Sequence, residues 1–571
     1  MLVQQGVFLL LLVGVILVRG TQVTNRHSTR RGRVLSIEDY GAVADRSITI
    51  WSFRNLEDDD DNDNAEPENS VDKKFNDWDL QRAINNTIAF NLAIDAAQPG
   101  DIVVVPDGKS FSFTGGIIAN DKHDIVIDFA GASHFVPVRD IWPFNTIPNS
   151  TIHGENPRYD PAIAIFNCTG VTLTSSSINR AKVNVDYRKN TVTLVRPFRY
   201  FGGIINGNGK PWWDDVLVGK HKDGRPRLVH IMESANMLVE YLTLLNSPFW
   251  TLTAETVDSE VRYINVLVDR RYQSGPSHTT DLSTIARHLD ARNIPFPIDD
   301  LPDWIGRKFR QPQDLNTDGI DPIGQNIWVH DCIIQNADDS VAIKPSHGGR
   351  EPSRIGDCTR NVTVENMVLT GFGASVGSVA PHEFHRCLDN VTFRNITMPG
   401  TGKGIYVKSD WGNNTCYNQT GQATNILYED ITLYNPFWWS IWIGPQQQHQ
   451  PDSELNMKCG LTWPIEPHCP VPGCVQMENI TLRNVKILSP VISPAVIMGN
   501  ATLPIKNVVI EDLAVVESKT KIWLGKWPFH DKRYPWHGRI KCENANGSYR
   551  NCRPEPSCLT PQEGIRTNLT F

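Results

Sequence analysis

The chain of 571 residues has no Cys-x-x-Cys pair, no His-x-x-x-His on a convincing helical pattern and no Gly-rich loop leading through Lys-Ser/Thr into a helix. Structural zinc, dithiol redox chemistry and phosphate cradling each need their donors at a fixed spacing, so these absences disfavour all three. No metal and no cofactor are expected. Gly373-Ala-Ser-Val-Gly377 matches a serine-nucleophile string but lies among strand-like repeats rather than at a strand-to-helix turn. With 41 glycines and 37 prolines the chain is neither collagenous nor of low complexity.

Positive charge is also in deficit, with 55 Lys+Arg against 63 Asp+Glu and a net charge of −8, which argues against a general nucleic-acid binder. The deficit is local. Glu57, Asp58, Asp59, Asp60, Asp61, Asp63, Glu66 and Glu68 form a block without a compensating cation, and the remainder of the chain is neutral. Such a block repels itself and buries nothing, so residues of about 46–76 are expected to be a disordered insertion. The total charge therefore says nothing against a polyanionic ligand.

Only the N-terminus has a long apolar run, Gly6 to Val18, followed by Arg19-Gly20-Thr21. It reads as a secretory leader over 1–20, although the usual basic residues before the run are missing and arginines follow it, as in an uncleaved anchor. A propeptide over 21–33 would end near Arg30-Arg31. Twelve Asn-x-Ser/Thr sequons and eleven cysteines agree with export. The cysteines group late, as Cys459, Cys469 and Cys474 and as Cys542, Cys552 and Cys558, which suggests disulfides pinning loops and the C-terminal end. An odd number leaves at least one thiol unpaired; Cys332, inside an apolar string, is the expected one. The protein is expected to be secreted, to act in the extracellular space or cell wall, and to be a monomer with no nucleic-acid partner and no membrane contact after leader removal.

What is abundant is a repeat: an Asn, alternating aliphatic positions, a polar pair and a second aliphatic run. It recurs from Asn236, Asn326, Asn361, Asn390, Asn425, Asn479 and Asn507, at intervals from Asn326 of 35, 29, 35, 54 and 28 residues. Period-2 alternation marks strands with one buried face. No helical pattern of 10 to 15 residues separates them, so the strands must bury that face by stacking coil on coil. This predicts an all-β, single-stranded right-handed parallel β-helix. A sandwich of hairpins is the alternative, weakened by the scarcity of two-residue hairpin turns. The leading Asn suits a turn that tolerates left-handed backbone and can ladder with its counterpart one coil away. Before the repeats, Leu80, Ile84, Ile88, Leu92 and Ala96 approach helical spacing, predicting a helix over Trp78–Ala97 that caps the open end. The expected organisation is an N-terminal region over 34–99, the β-helix over 100–530 and a Cys-containing tail over 531–571.

Chemistry concentrates in carboxylates. Asn316-Thr-Asp-Gly319 begins one coil and Ala337-Asp-Asp-Ser340 begins the next, so stacking brings Asp318 close to Asp338 and Asp339. Three crowded carboxyls do not all ionise; one keeps its proton while the others stay charged. Alternation would put Asp339 on the face of Val341 and Ile343, so the pair must lie on a bend.

With these motifs in place the chain resembles glycoside hydrolase family 28, the polygalacturonases and related pectin hydrolases, over most of 34–530. Ile37-Glu-Asp-Tyr-Gly-Ala-Val43, Gly203-Ile-Ile-Asn-Gly-Asn-Gly-Lys-Pro-Trp-Trp213, Asn246-Ser-Pro-Phe-Trp250, Asn316-Thr-Asp-Gly319, Asp338-Asp339 and Gly371-Phe-Gly-Ala-Ser-Val-Gly-Ser378 follow the family's motifs in order. The resemblance implies a pectin lyase-like β-helix and an inverting hydrolysis of pectic polysaccharide. Asp338 would protonate the glycosidic oxygen, and Asp318 and Asp339 would activate water. It implies Lys408, in Gly404-Ile-Tyr-Val-Lys-Ser409, as the cation for a uronate carboxylate, with Asn316 and Tyr406 as further substrate-binding residues. Alternation puts Tyr406 and Lys408 on one outward face. Two motif residues differ: Phe372 stands for a histidine and Tyr406 for an arginine. His382 and His385 are candidates to replace the imidazole, and residues 270–315 form a long insertion that would wall the cleft. The differences keep open a rhamnogalacturonan or xylogalacturonan hydrolase of the same family, a non-catalytic polysaccharide-binding β-helix, and a β-eliminating lyase.

Overall fold

The computed structural model describes residues 32–45, 77–144, 159–177, 183–186, 191–194, 203–217, 224–268, 316–346, 353–380, 386–410, 421–436, 438–447, 459, 463, 469–490, 493–516 and 539–562. The expected leader, the acidic block, the insertion over 270–315, His382 and His385 lie outside the described residues.

The fold is a parallel β-helix. Successive coils pair in parallel, one long face running through Leu252–Arg262, Ile320–His330, Cys358–Leu369, Cys387–Pro399, Gly421–Tyr434, Val475–Leu488 and Ile505–Val516. A second face stacks Val341–Ile343, Ala374–Val379, Lys403–Ser409, Trp439–Pro445 and Ala495–Met498. Stacking continues past residue 530, where Ile540–Glu543 and Ala545–Arg553 each add a parallel strand. Among the described residues the one antiparallel pairing of named strands is Val183–Asp186 with Thr191–Leu194.

In-register pairing makes like stand on like. Val362, Val391, Ile426, Ile480 and Val508 form one interior column, and Val364, Phe393, Tyr428, Leu482 and Ile510 the next, all at most 1% exposed. The Phe393 and Tyr428 rings lie 4.8 Å apart and nearly parallel, one strand spacing along the stack.

The repeat asparagines adopt left-handed backbone with φ between 51° and 58° at Asn326, Asn361, Asn390, Asn425, Asn479 and Asn507. Their side chains ladder: Asn361 Nδ2 donates to Asn326 Oδ1 at 2.9 Å, Asn390 to Asn361 at 2.8 Å and Asn507 to Asn479 at 2.8 Å. The polar pair five residues on repeats the device, with positive φ at Asp331, Asn366, Asn395, Asp430, Asn484 and Asp512. From Ile320–His330 to Ile505–Val516 each strand of this face thus bends at two places where Asn or Asp tolerates the left-handed region.

The N-terminal helix, here α1, spans Asp77–Ala96. Its buried side is not the stripe read from the sequence. Ala83, Asn86, Thr87, Ala89, Phe90, Ala93 and Ile94 are buried, whereas Ile88 and Leu92 are 52% and 49% exposed. A strict i+4 series turns about 40° per step around a helix, so it winds off any one face, while the spacing 83, 86/87, 90, 93/94 holds it. Phe90 packs on Phe113 and Phe129 at 5.7 and 5.8 Å between centroids. Asn86 donates to the Val43 and Ser112 carbonyls.

Disulfides join Cys358 to Cys387, Cys459 to Cys469 and Cys542 to Cys558, and Cys474 is also disulfide-bonded. Cys332 is a buried free thiol, as are Cys168 and Cys552. No helix of the described residues is long and apolar enough to cross a membrane.

Candidate active site

The site is built on two stacked bends. Asn316, Thr317 and Asp318 precede the strand Ile320–His330, and Asn336 to Ser340 join Ile333–Gln335 to Val341–Ile343. Gly319 N donates to the Asp339 carbonyl at 2.9 Å and Ile320 N to that of Ser340 at 3.0 Å, which fixes Asp318 one coil below Asp339. Glycine is required at 319 because a Cβ there would fall 2.4 Å from the Ser340 oxygen. Asn336 holds the upper bend: its amide donates to the carbonyls of Thr317, Asp338 and Asp339, and its Oδ1 accepts from Ser340 Oγ. The aspartates therefore lie on the bend and not on the strand, as the alternation required.

Asp318, Asp338 and Asp339 are 3%, 2% and 1% exposed, yet their surroundings differ. Asp338 accepts from the backbone N–H groups of Asn316 and Asp339, both at 2.9 Å. Burial and the neighbouring charges of Asp318 and Asp339 nevertheless push its carboxyl up to about 8, so it holds a proton at neutral pH. Asp339 meets the opposite balance: burial would raise it, but Lys408 Nζ donates to its Oδ2 and Ser375 Oγ to its Oδ1 at 2.7 Å. Those cationic and hydroxyl partners hold it below the usual carboxylate range. Asp318 is raised by burial against the pull of Lys344, whose Nζ donates to its Oδ2 at 2.9 Å. Its Oδ1 has no hydrogen-bond partner among the described residues.

Three side chains of this assembly escaped the sequence reading: Asp321, Lys344 and Lys403. Asp321 is fully buried, lies 3.6 Å from Lys344 Nζ and is pushed well up by burial. It stands three residues beyond Asp318, so a carboxylate count of the Asn316 motif would have found it. Lys344 is a lone cation at the end of the apolar run Val341–Ile343, and it also faces the Trp250 ring at 4.5 Å. Its charged form is favoured by Asp318 and Asp321 against burial. Nothing in the local pattern distinguished Lys403, while Ser375, the serine of the Gly373–Gly377 string, serves as a hydrogen-bond donor to Asp339.

Tyr406 and Lys408 share the face opposite the buried Ile405 and Val407, but that face does not meet solvent. Tyr406 is 2% and Lys408 4% exposed, and Tyr406 packs in a buried cluster with Trp439 and Trp442 of the next stacked strand and Trp463. Alternation reports which side of a strand a residue takes and not what covers it, so the shared face of Tyr406 and Lys408 can be buried. Tyr406 Oη accepts from Gln447 N at 2.8 Å, and Asn316 Oδ1 accepts from Arg225 Nη2 at 3.2 Å.

A family model described as glycosyl hydrolases family 28 matches residues 161–526. An endo-polygalacturonase of Pectobacterium carotovorum subsp. carotovorum is 28% identical over 41% of this chain and 47% of its own length. An exopolygalacturonase of Arabidopsis thaliana is 28% identical over 36% of this chain and 40% of its own. The chain thus spans less than half the length of these curated relatives. Among solved structures, the exopolygalacturonase of Thermotoga maritima aligns with a TM-score of 0.49 at 17% identity, covering 85% of this chain and 88% of that one. The endo-xylogalacturonan hydrolase of Aspergillus tubingensis aligns at 0.47 and 17%, covering 84% and 95%. With more than half its length matched by the family model and the aspartate motifs stacked as described, the chain belongs to glycosyl hydrolases family 28.

Proposed function

We propose that the protein is a secreted hydrolase of polygalacturonan-type pectic polysaccharide that cleaves the glycosidic bond with inversion. The observation that carries this reading is the split among the stacked carboxyls: Asp338 protonated near neutrality and Asp339 held ionised. A proton donor is then poised before substrate arrives, beside a carboxylate that keeps its charge. Asp338 gives its proton to the glycosidic oxygen as the bond from that oxygen to the anomeric carbon breaks. A water attacks the same carbon from the other side and loses its proton to a carboxylate, the two carboxyls of an inverting pair standing about 6.5–9.5 Å apart to admit it. Asp318 Oδ1 is the better acceptor, since both oxygens of Asp339 are engaged by Ser375 and Lys408. The polygalacturonase names of the relatives supply the substrate class.

Asp338→Asn tests the reading. Release of reducing ends from polygalacturonate should fall by about 10²–10⁴-fold, the usual worth of a positioned acid, and NMR of the wild-type product should show the inverted anomer first. Retained configuration, or full activity in the variant, would refute it.

A further inference from the structure

One lysine of the site takes no part in the reaction as written. Lys403 is 1% exposed, and among the described residues its Nζ has a single acceptor, the Gln447 carbonyl at 2.9 Å, and no ion pair. An ammonium carries three donors and no acceptor. Two rings flank this one: the Tyr406 centroid lies 4.1 Å from Nζ and the Phe372 centroid 4.9 Å. Cation–π attraction offsets part of the desolvation cost of such a cation, but one hydrogen bond leaves it far short of its capacity.

The position of this under-satisfied charge is informative. Phe372 and Tyr406 are the two residues that depart from the family's motifs, the second of them at the place of a cation. Lys408 is paired with Asp339, whereas Lys403 has no carboxylate partner among the described residues. We propose that Lys403 is the carboxylate-binding cation of this site, taking the uronate carboxylate beside the scissile bond from its seat beside Phe372 and Tyr406. The proposal rests on the hydrolase reading of the same site and specifies which residue selects an acidic sugar.

The groups facing Lys403 sharpen the consequence. Burial is the largest influence on it, Lys408 repels its charge, and Asp339 and Asp338 partly restore it, so that it titrates at about 7. A bound carboxylate would keep the proton on, so uronate affinity should weaken as pH rises above about 7.

The test compares the full chain with Lys403→Met and Lys403→Arg on polygalacturonate and on highly methyl-esterified pectin, with thermal unfolding as a fold control. A charged hydrogen bond of this kind corresponds to roughly 10- to 100-fold in binding. Lys403→Met should raise KM on polygalacturonate by that factor with kcat nearly unchanged, and leave KM on the ester within about threefold; Lys403→Arg should recover most of the loss. Equal effects on acid and ester, or none, would overturn the assignment. If the wild type cleaves neither polymer, the hydrolase reading fails separately, and calorimetry with trigalacturonate decides this one: binding lost in Lys403→Met supports it, and binding unchanged overturns it.

Discussion

Asp338→Asn should change the stability of the fold with pH, lowering it slightly near pH 4 and raising it above about pH 5. The variant keeps the size of the side chain and one of the two acceptors now serving Asn316 N and Asp339 N; the lost acceptor costs about 1 kcal/mol at every pH. The larger effect is proton linkage. In the unfolded chain an aspartate titrates near 3.9, whereas in the folded protein burial and the charges of Asp318 and Asp339 raise Asp338 to about 8. A raised carboxyl contributes its full stability below the unfolded pKa and loses it as pH climbs toward the folded one. Each pH unit in that window is worth about 1.4 kcal/mol. Between pH 4 and pH 7 the wild type should therefore lose up to about 4 kcal/mol relative to Asp338→Asn, and the difference should level off above about pH 8. The neighbours do not complicate the comparison below pH 8, because they face a neutral group in both proteins. Urea denaturation of both proteins at unit pH intervals from 4 to 9 measures the difference directly. A difference that stays flat with pH would refute the idea that Asp338 is forced to carry a proton.

Three further outcomes are expected. Lys344→Met leaves Asp318 and Asp321 buried without their cation; a loss of about 3–5 kcal/mol in denaturation is expected, with hydrolysis abolished because Asp318 becomes protonated. Asn390→Ala puts an ordinary residue at φ 55° and removes the rung to Asn361, costing about 1–2 kcal/mol or more, and Asn390→Gly should recover the backbone part of it. Mass spectrometry of protein made in a secretory eukaryotic host should find Asn361, Asn390, Asn395 and Asn479 bare, since their Nδ2 atoms are held in the ladders, and should find glycan at the exposed Asn85 and Asn546.

The stacking of coils was legible in the chain because the interior is one-dimensional. A strand that repeats Asn, aliphatic alternation and a polar pair needs only a copy of itself as neighbour, so local pattern and global fold coincide. Asp318, Asp338 and Asp339 were legible for the same reason, being one coil apart. Helix α1 shows the limit: a helix was readable from spacing, but its buried side depends on where Phe113 and Phe129 stand.

The sequence by itself determined the parallel coil, the bends at its asparagines and the meeting of three carboxyls. Only the tertiary structure decided which of those carboxyls is protonated, because that follows from Lys344, Lys408 and Ser375, brought from other strands to particular oxygens. It also decided that Tyr406 packs among tryptophans and that Lys403 lies beside Phe372 and Tyr406. Electrostatics in a dry site is set by distances of a few ångströms between residues tens of positions apart, and alternation along a strand carries no record of those distances.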